Sequence, residues 1–154
     1  MEIKEFYGDV LTSNADIICH SVNCQGVFNS GVAKSVRDKY PEVYAKYKSA
    51  YDQGFAKLGN IQIVNIGGNF SNQSICNMFN QDNYGYDHAK YTSYDALDTC
   101  ANKLRKYCEE NYIHSIAIPW HMCSDRGGGN WDIVLAILKA AFEDSFITIE
   151  IWKL

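Results

Sequence analysis

Two periodicities alternate along the chain, and that alternation limits its possible folds more than any other feature. Short apolar runs at residues 3–7, 16–22, 60–66, 74–80, 115–119 and 146–152 read as strands. Between them, residues 31–39, 41–51, 93–111 and 130–143 carry apolar side chains at helical spacing, with Pro41 suited to a first helical turn. Strands interleaved with helices bury both faces of a sheet. The expected class is therefore α/β: a three-layer α/β/α sandwich around a mixed, mostly parallel central sheet, with ligands at the C-terminal ends of the strands. With 154 residues and neither repeats nor low-complexity linkers, residues 1–154 are expected to form one domain.

Two strand-to-helix junctions are rich in glycine and small residues, CQGVFNSGVAK and PWHMCSDRGGGNWDIV. Glycine lets the main chain approach a ligand closely, so loops of this kind expose backbone N–H groups. The net charge is -4 and there is no lysine or arginine block, so no extended nucleic-acid interface is expected. An anionic ligand would be held instead by N–H dipoles at a helix N-terminus. On residue chemistry alone, both junctions are equally readable as ordinary turns. The six cysteines show no metal-binding spacing and read as buried thiols, so no metal, cofactor or disulfide is expected. No apolar run reaches the length of a membrane span and no leader pattern opens the chain, which predicts a soluble, cytoplasmic monomer without a membrane partner.

Taken together, YGDVLTSNADIICHSVNCQGVFNSGVAKSVRDKYPEVYAKY, the ICNMFNQ strand, the RGGGNWDIV junction and the terminal IWKL resemble a small macrodomain. The resemblance is closest to the branch that contains ADP-ribose-1″-phosphate phosphatases, and it implies ADP-ribose and ADP-ribose-1″-phosphate as ligands. Asp9 matches the acidic residue that accepts from the adenine amino group, with Val10 beside it; as a residue type, Asp9 is also a turn or cap former. Asn23 matches an asparagine facing the distal ribose, although alone it reads as a turn former, and Gln25 and Gly26 continue that edge. Gly31, Val32 and Ala33 match the first phosphate loop. Ser124, Asp125, Arg126, Gly127, Gly128 and Gly129 match the second, where relatives place glycine and apolar residues in the positions of Ser124, Asp125 and Arg126. Arg126 would clamp a terminal phosphate or neutralise Asp125.

The same resemblance implies His20 as a catalytic acid or base, with Asp125 orienting water; the bland reading of His20 is a satisfied core residue. Relatives that use a catalytic lysine carry it near the end of the ICNMFNQ strand, where this chain has Asn80 and Gln81, so water-based hydrolysis is expected. Tyr84, Tyr86 and Tyr91 read as loop packing or as a lid. Hydrolysis of ADP-ribose-1″-phosphate to ADP-ribose and phosphate is thus the expected activity. The alternatives are removal of ADP-ribose from protein or nucleic acid, and a reader that binds without turnover.

Overall fold

The computed structural model describes residues 1–29, 31–83, 92–124 and 128–154. Its strands are β1 (Glu2–Tyr7), β2 (Ile17–Asn23), β3 (Ile61–Asn65), β4 (Ser74–Gln81), β5 (Ser115–Pro119) and β6 (Thr148–Lys153). Its helices are α1 (Gly31–Lys39), α2 (Pro41–Asp52), α3 (Tyr94–Glu110) and α4 (Trp131–Phe142). Every expected element is present, its ends within two residues of the sequence reading. A short 3-10 turn at Val10–Thr12 was not anticipated, because three residues are too few to show a period.

The six strands form one sheet in the order β1-β6-β5-β2-β4-β3. All neighbours run parallel except β3, which pairs antiparallel with β4. The side chains of β2 divide between two cores. Ile17 and Cys19 join a core with Leu97 and Leu104 of α3 and Val134 and Leu138 of α4. Ile18 and Val22 join another with Val36 of α1 and Val43 and Tyr47 of α2. The same division in β4 sends Cys76 and Met78 one way and Ile75 and Phe79 the other. Burial on both faces explains why these strands read as continuous apolar runs rather than as strict alternation.

Helix starts follow local chemistry. Ser93 accepts from Ala96 N and Asn130 from Asp132 N, each cap answering one of the helix's orphan donors. Pro41 opens α2, where a missing N–H costs nothing. Because β1, β2, β5 and β6 are parallel, the turn after β1 and the junctions after β2 and β5 all emerge at one edge of the sheet. Among the described residues, no helix is long and apolar enough to cross a membrane.

Candidate functional site

The first loop leaves β2 at Asn23, and a buried tyrosine organises it. Tyr47 Oη lies 2.7 Å from the Asn23 carbonyl and 2.8 Å from Asn23 Oδ1, and it accepts from Gly26 N at 3.1 Å and Val27 N at 3.2 Å. Burial pushes the Tyr47 phenol well above its usual range, so it stays protonated. The Asn23 amide is equally committed: Oδ1 accepts from Gln25 N at 2.9 Å, and Nδ2 donates to the Val27 carbonyl at 2.8 Å. Asn23 therefore acts here as the loop organiser that its residue type suggests. Gly26 has its N–H on Tyr47 rather than facing outward. It sits at φ +80° with the Tyr51 ring 3.0 Å from where a Cβ would stand. Gln25 is exposed and reaches the Asp82 carbonyl.

Gly31 begins α1 at φ +60°, exposed, with no atom near its missing Cβ, and Val32 and Ala33 follow in the first turn. First-turn N–H groups have no acceptor within their own helix. Of the residues expected in the first loop, Gly31, Val32 and Ala33 thus open α1, where N–H groups lack an acceptor within the helix, whereas Asn23 and Gly26 build the support.

Loop two leaves β5, the neighbour of β2 in the sheet. Its anchor is Cys123, buried and in the left-handed region at φ +70°. Cys123 Sγ lies 2.8 Å from Ser21 Oγ of β2 and accepts from Asn80 Nδ2 of β4 at 3.6 Å. Its carbonyl accepts from Thr92 Oγ1 at 3.0 Å and Gly129 N at 2.8 Å. A Cβ on Gly129 would lie 2.8 Å from that carbonyl oxygen, so only glycine fits. Burial raises the Cys123 thiol to about 11, which makes it a neutral anchor and not a nucleophile. Ser124 Oγ donates to the His121 carbonyl, and Gly128 is exposed at φ +71°. Asp125, Arg126 and Gly127 lie outside the described residues, as do Tyr84, Tyr86 and Tyr91. On the α4 side of this loop, His121, Ser124, Asn130, Trp131 and Asp132 line an open cavity of about 420 Å³.

Asp9 is exposed in the turn after β1, at the same edge, with its Oδ1 accepting from Leu11 N at 2.9 Å. The capping role weighed from sequence is therefore present, and Val10 behind it is buried.

His20 is not at the surface of this edge. It is 1% exposed, its Nε2 is 2.6 Å from Asn77 Oδ1, and its ring meets Phe28 edge-on at 5.3 Å. Asn77 in turn donates to Gln62 Oε1 at 2.9 Å. The Asn77 oxygen requires a donor, so Nε2 carries the proton; Nδ1 is buried without a partner. Desolvation lowers the His20 pKa to about 4, outweighing the Asn77 bond, which raises it. The burial, the Asn77 bond and the Phe28 contact match the bland reading weighed for His20, a satisfied core residue. What the sequence reading missed was Phe28, whose spacing from β2 gave no sign that it folds back over that strand. Among the described residues, no group of three or more histidine, cysteine, aspartate or glutamate side chains is placed to hold a metal.

A six-stranded α/β/α sandwich places the glycine-bearing loops after the adjacent parallel strands β2 and β5 at the C-terminal ends of those strands, where folds of this class hold their ligands. Residues 19–138 match the family model described as "Macro domain", and the chain belongs to that family. A DNA ADP-ribosyl glycohydrolase of Mycobacterium tuberculosis is 28% identical over 137 residues, 88% of this chain; the chain spans only 37% of that relative's length. An ADP-ribose 1″-phosphate phosphatase of Neosartorya fischeri is 39% identical over 49 residues, 31% of this chain and 24% of the relative. Among solved structures, the macrodomain of M. tuberculosis DarG superposes with a TM-score of 0.86 at 24% identity, covering 99% of this chain and 97% of that one. Thermosipho africanus DarTG, in complex with ADP-ribose, gives 0.83 at 18% identity, with 99% of this chain and 42% of that one covered.

Proposed function

We propose that this macrodomain binds ADP-ribose along the edge formed by the turn after β1 and the loops after β2 and β5, and hydrolyses a bond at C1″ of the distal ribose. The observation that carries this reading is the start of α1: an exposed Gly31 in left-handed conformation, with no atom within 4 Å of where its Cβ would stand, opening a helix whose first-turn N–H groups have no acceptor within the helix. Such a terminus favours a diphosphate without any cationic side chain. Asp9 would receive the adenine amino group, and Ser124 to Gly129 would close over the distal phosphate and ribose. Water attacks C1″, the ribose keeps the new hydroxyl, and the leaving group departs with the proton. Asp125 is the proposed base that orients the water, and no direct role is proposed for His20, whose ring is buried.

The leaving group favoured by the comparisons is a macromolecular one, since the DNA ADP-ribosyl glycohydrolase aligns over 88% of the chain. Phosphate, released from ADP-ribose-1″-phosphate, is the second reading, supported by the 49-residue match to a phosphatase. Incubation with an ADP-ribosylated single-stranded oligonucleotide and, separately, with ADP-ribose-1″-phosphate tests both. Free ADP-ribose from the oligonucleotide supports the first reading, and phosphate release from the second substrate alone supports the second. Binding without either product makes the protein a reader. Asp125→Ala should slow whichever reaction occurs by about 10²-fold or more, the usual contribution of a positioned acid or base.

A further inference from the structure

The three most exposed aromatic rings among the described residues lie at one edge of the sheet. Phe146 is 99% exposed, Phe70 99% and Tyr112 84%. Phe146 leads into β6, Tyr112 leads into β5, and Phe70 stands in the turn that joins β3 to its antiparallel neighbour β4. All three therefore sit where the parallel strands begin, opposite the edge that carries the loops after β1, β2 and β5. Strands β5 and β6 pair from Ser115 and Thr148 onward, and Thr148 N donates to the His114 carbonyl at 2.8 Å, which makes Tyr112 and Phe146 near neighbours. Single exposed apolar side chains are ordinary, but a row of them marks an interaction surface.

Local structure gives no reason for these rings. Ile113 N donates to the Cys108 carbonyl at 2.9 Å, the bond of a Schellman motif, and Tyr112 holds its left-handed position at φ +55°, where glycine or asparagine is favoured. Ser145 closes the end of α4, its Oγ donating to the Phe142 carbonyl at 2.6 Å, and Phe146 is left wholly outside.

The sign of the charge around the pair decides what could cover it. Glu109 and Glu110 end α3, Glu143 and Asp144 follow α4, and all four are exposed. These are helix C-termini, where the macrodipole is negative and cations are favoured. Even so, α3 has no basic residue in its last turn and α4 has only Lys139. Arg105 and Lys106 are paired along α3 with Glu109 and Glu110, and the Met1 ammonium is taken up by the Ser145 carbonyl at 2.6 Å. Among the described residues, no cation pairs with Glu143 or Asp144.

We propose that this edge docks a basic polypeptide segment, whose lysines and arginines meet the acidic helix ends while their stems and apolar neighbours lie on Tyr112 and Phe146. Nucleic acid and anionic membranes carry the wrong sign. A second copy docked by two-fold symmetry would set acid against acid. A segment bound here leaves the ligand loops open, so the domain is tethered to a basic protein while its site stays free.

Fluorescence anisotropy with a labelled peptide of Arg-Gly-Leu repeats, about twelve residues long so that it crosses the edge when extended, tests this against a Glu-Gly-Leu peptide of equal length. The arginine peptide should bind, with affinity falling as salt screens its charges. The double variants Tyr112→Asn, Phe146→Ser and Glu143→Lys, Asp144→Lys should each weaken it about tenfold or more. Both should stay folded, because asparagine suits the left-handed position and lysine suits a helix C-terminus, and both should titrate ADP-ribose as the wild type does. No binding of the arginine peptide, equal affinity in either double variant, or equally tight binding of the glutamate peptide would each overturn the proposal. Self-association of the wild type that these variants abolish would also overturn it, since a second copy would then be the occupant.

Discussion

Residue chemistry in this chain is decided by depth. His20 and Asp9 were both read from sequence as ligand-facing, yet one lies 1% exposed beneath Phe28 and the other lies at the surface of the edge. For His20 the consequence is a dependence of stability on pH. Its ordinary value of 6.5 falls to about 4 in the fold because burial disfavours the charged ring. As pH drops, the unfolded chain therefore takes up the proton first. The contribution is complete above about pH 6.5, is lost progressively down to about pH 4, and amounts to roughly 3 kcal/mol. Urea unfolding at pH 7 and pH 4 should show this loss in the wild type, and His20→Gln should shrink it by about that amount. An unchanged difference would mean that the imidazole is not held neutral. For Asp9 the capping bond to Leu11 N must be separated from ligand recognition. Asp9→Asn keeps a cap and removes the charge, and it should weaken ADP-ribose binding by about 1–3 kcal/mol. Full affinity with folding intact would remove Asp9 from the site.

At the scale of elements, the strands and helices were legible because burial writes its period into the sequence. Strands β2 and β4 are covered on both faces and read as apolar runs, while the stretch over α3 keeps helical spacing because one side meets a core containing Leu97, Ala101, Leu104 and Cys108. The loops were legible as glycine-rich junctions but not in their internal roles. Asn23 could not be assigned from its neighbours because its partner, Tyr47, is 24 residues away on α2. Cys123 likewise gains its meaning from Ser21 and Asn80, on two other strands. Only tertiary structure brings such partners together. The dependence can be measured. Tyr47→Phe removes the hydroxyl that serves Gly26 N, Val27 N and Asn23, which should cost about 1–3 kcal/mol of stability by denaturant unfolding. ADP-ribose affinity should fall with it, because the loop that leads into α1 loses its tie to α2. Stability lost with affinity intact would detach this loop from the ligand.

For the whole molecule, the six-stranded sheet ties its two flanks together through the central β2, which feeds both cores. We propose that residues 1–154 fold as one cooperative unit. All three tryptophans, Trp120, Trp131 and Trp152, lie on or beside β5, α4 and β6. Their fluorescence reports packing against both cores, Trp131 against the α3/α4 side and Trp152 against the α1/α2 side, whereas far-ultraviolet circular dichroism reports every element. The two denaturation curves should coincide; non-coincident transitions would contradict a single cooperative unit. The central claim is that an ADP-ribose diphosphate rests on the N-terminus of α1, and calorimetric titration of wild type and Gly31→Glu with ADP-ribose tests it most directly. The account predicts saturable one-to-one binding by the wild type and its loss in the variant, where a carboxylate meets the phosphates and a side chain meets φ +60°. No binding by the wild type, or equal binding by a folded Gly31→Glu protein, would contradict it.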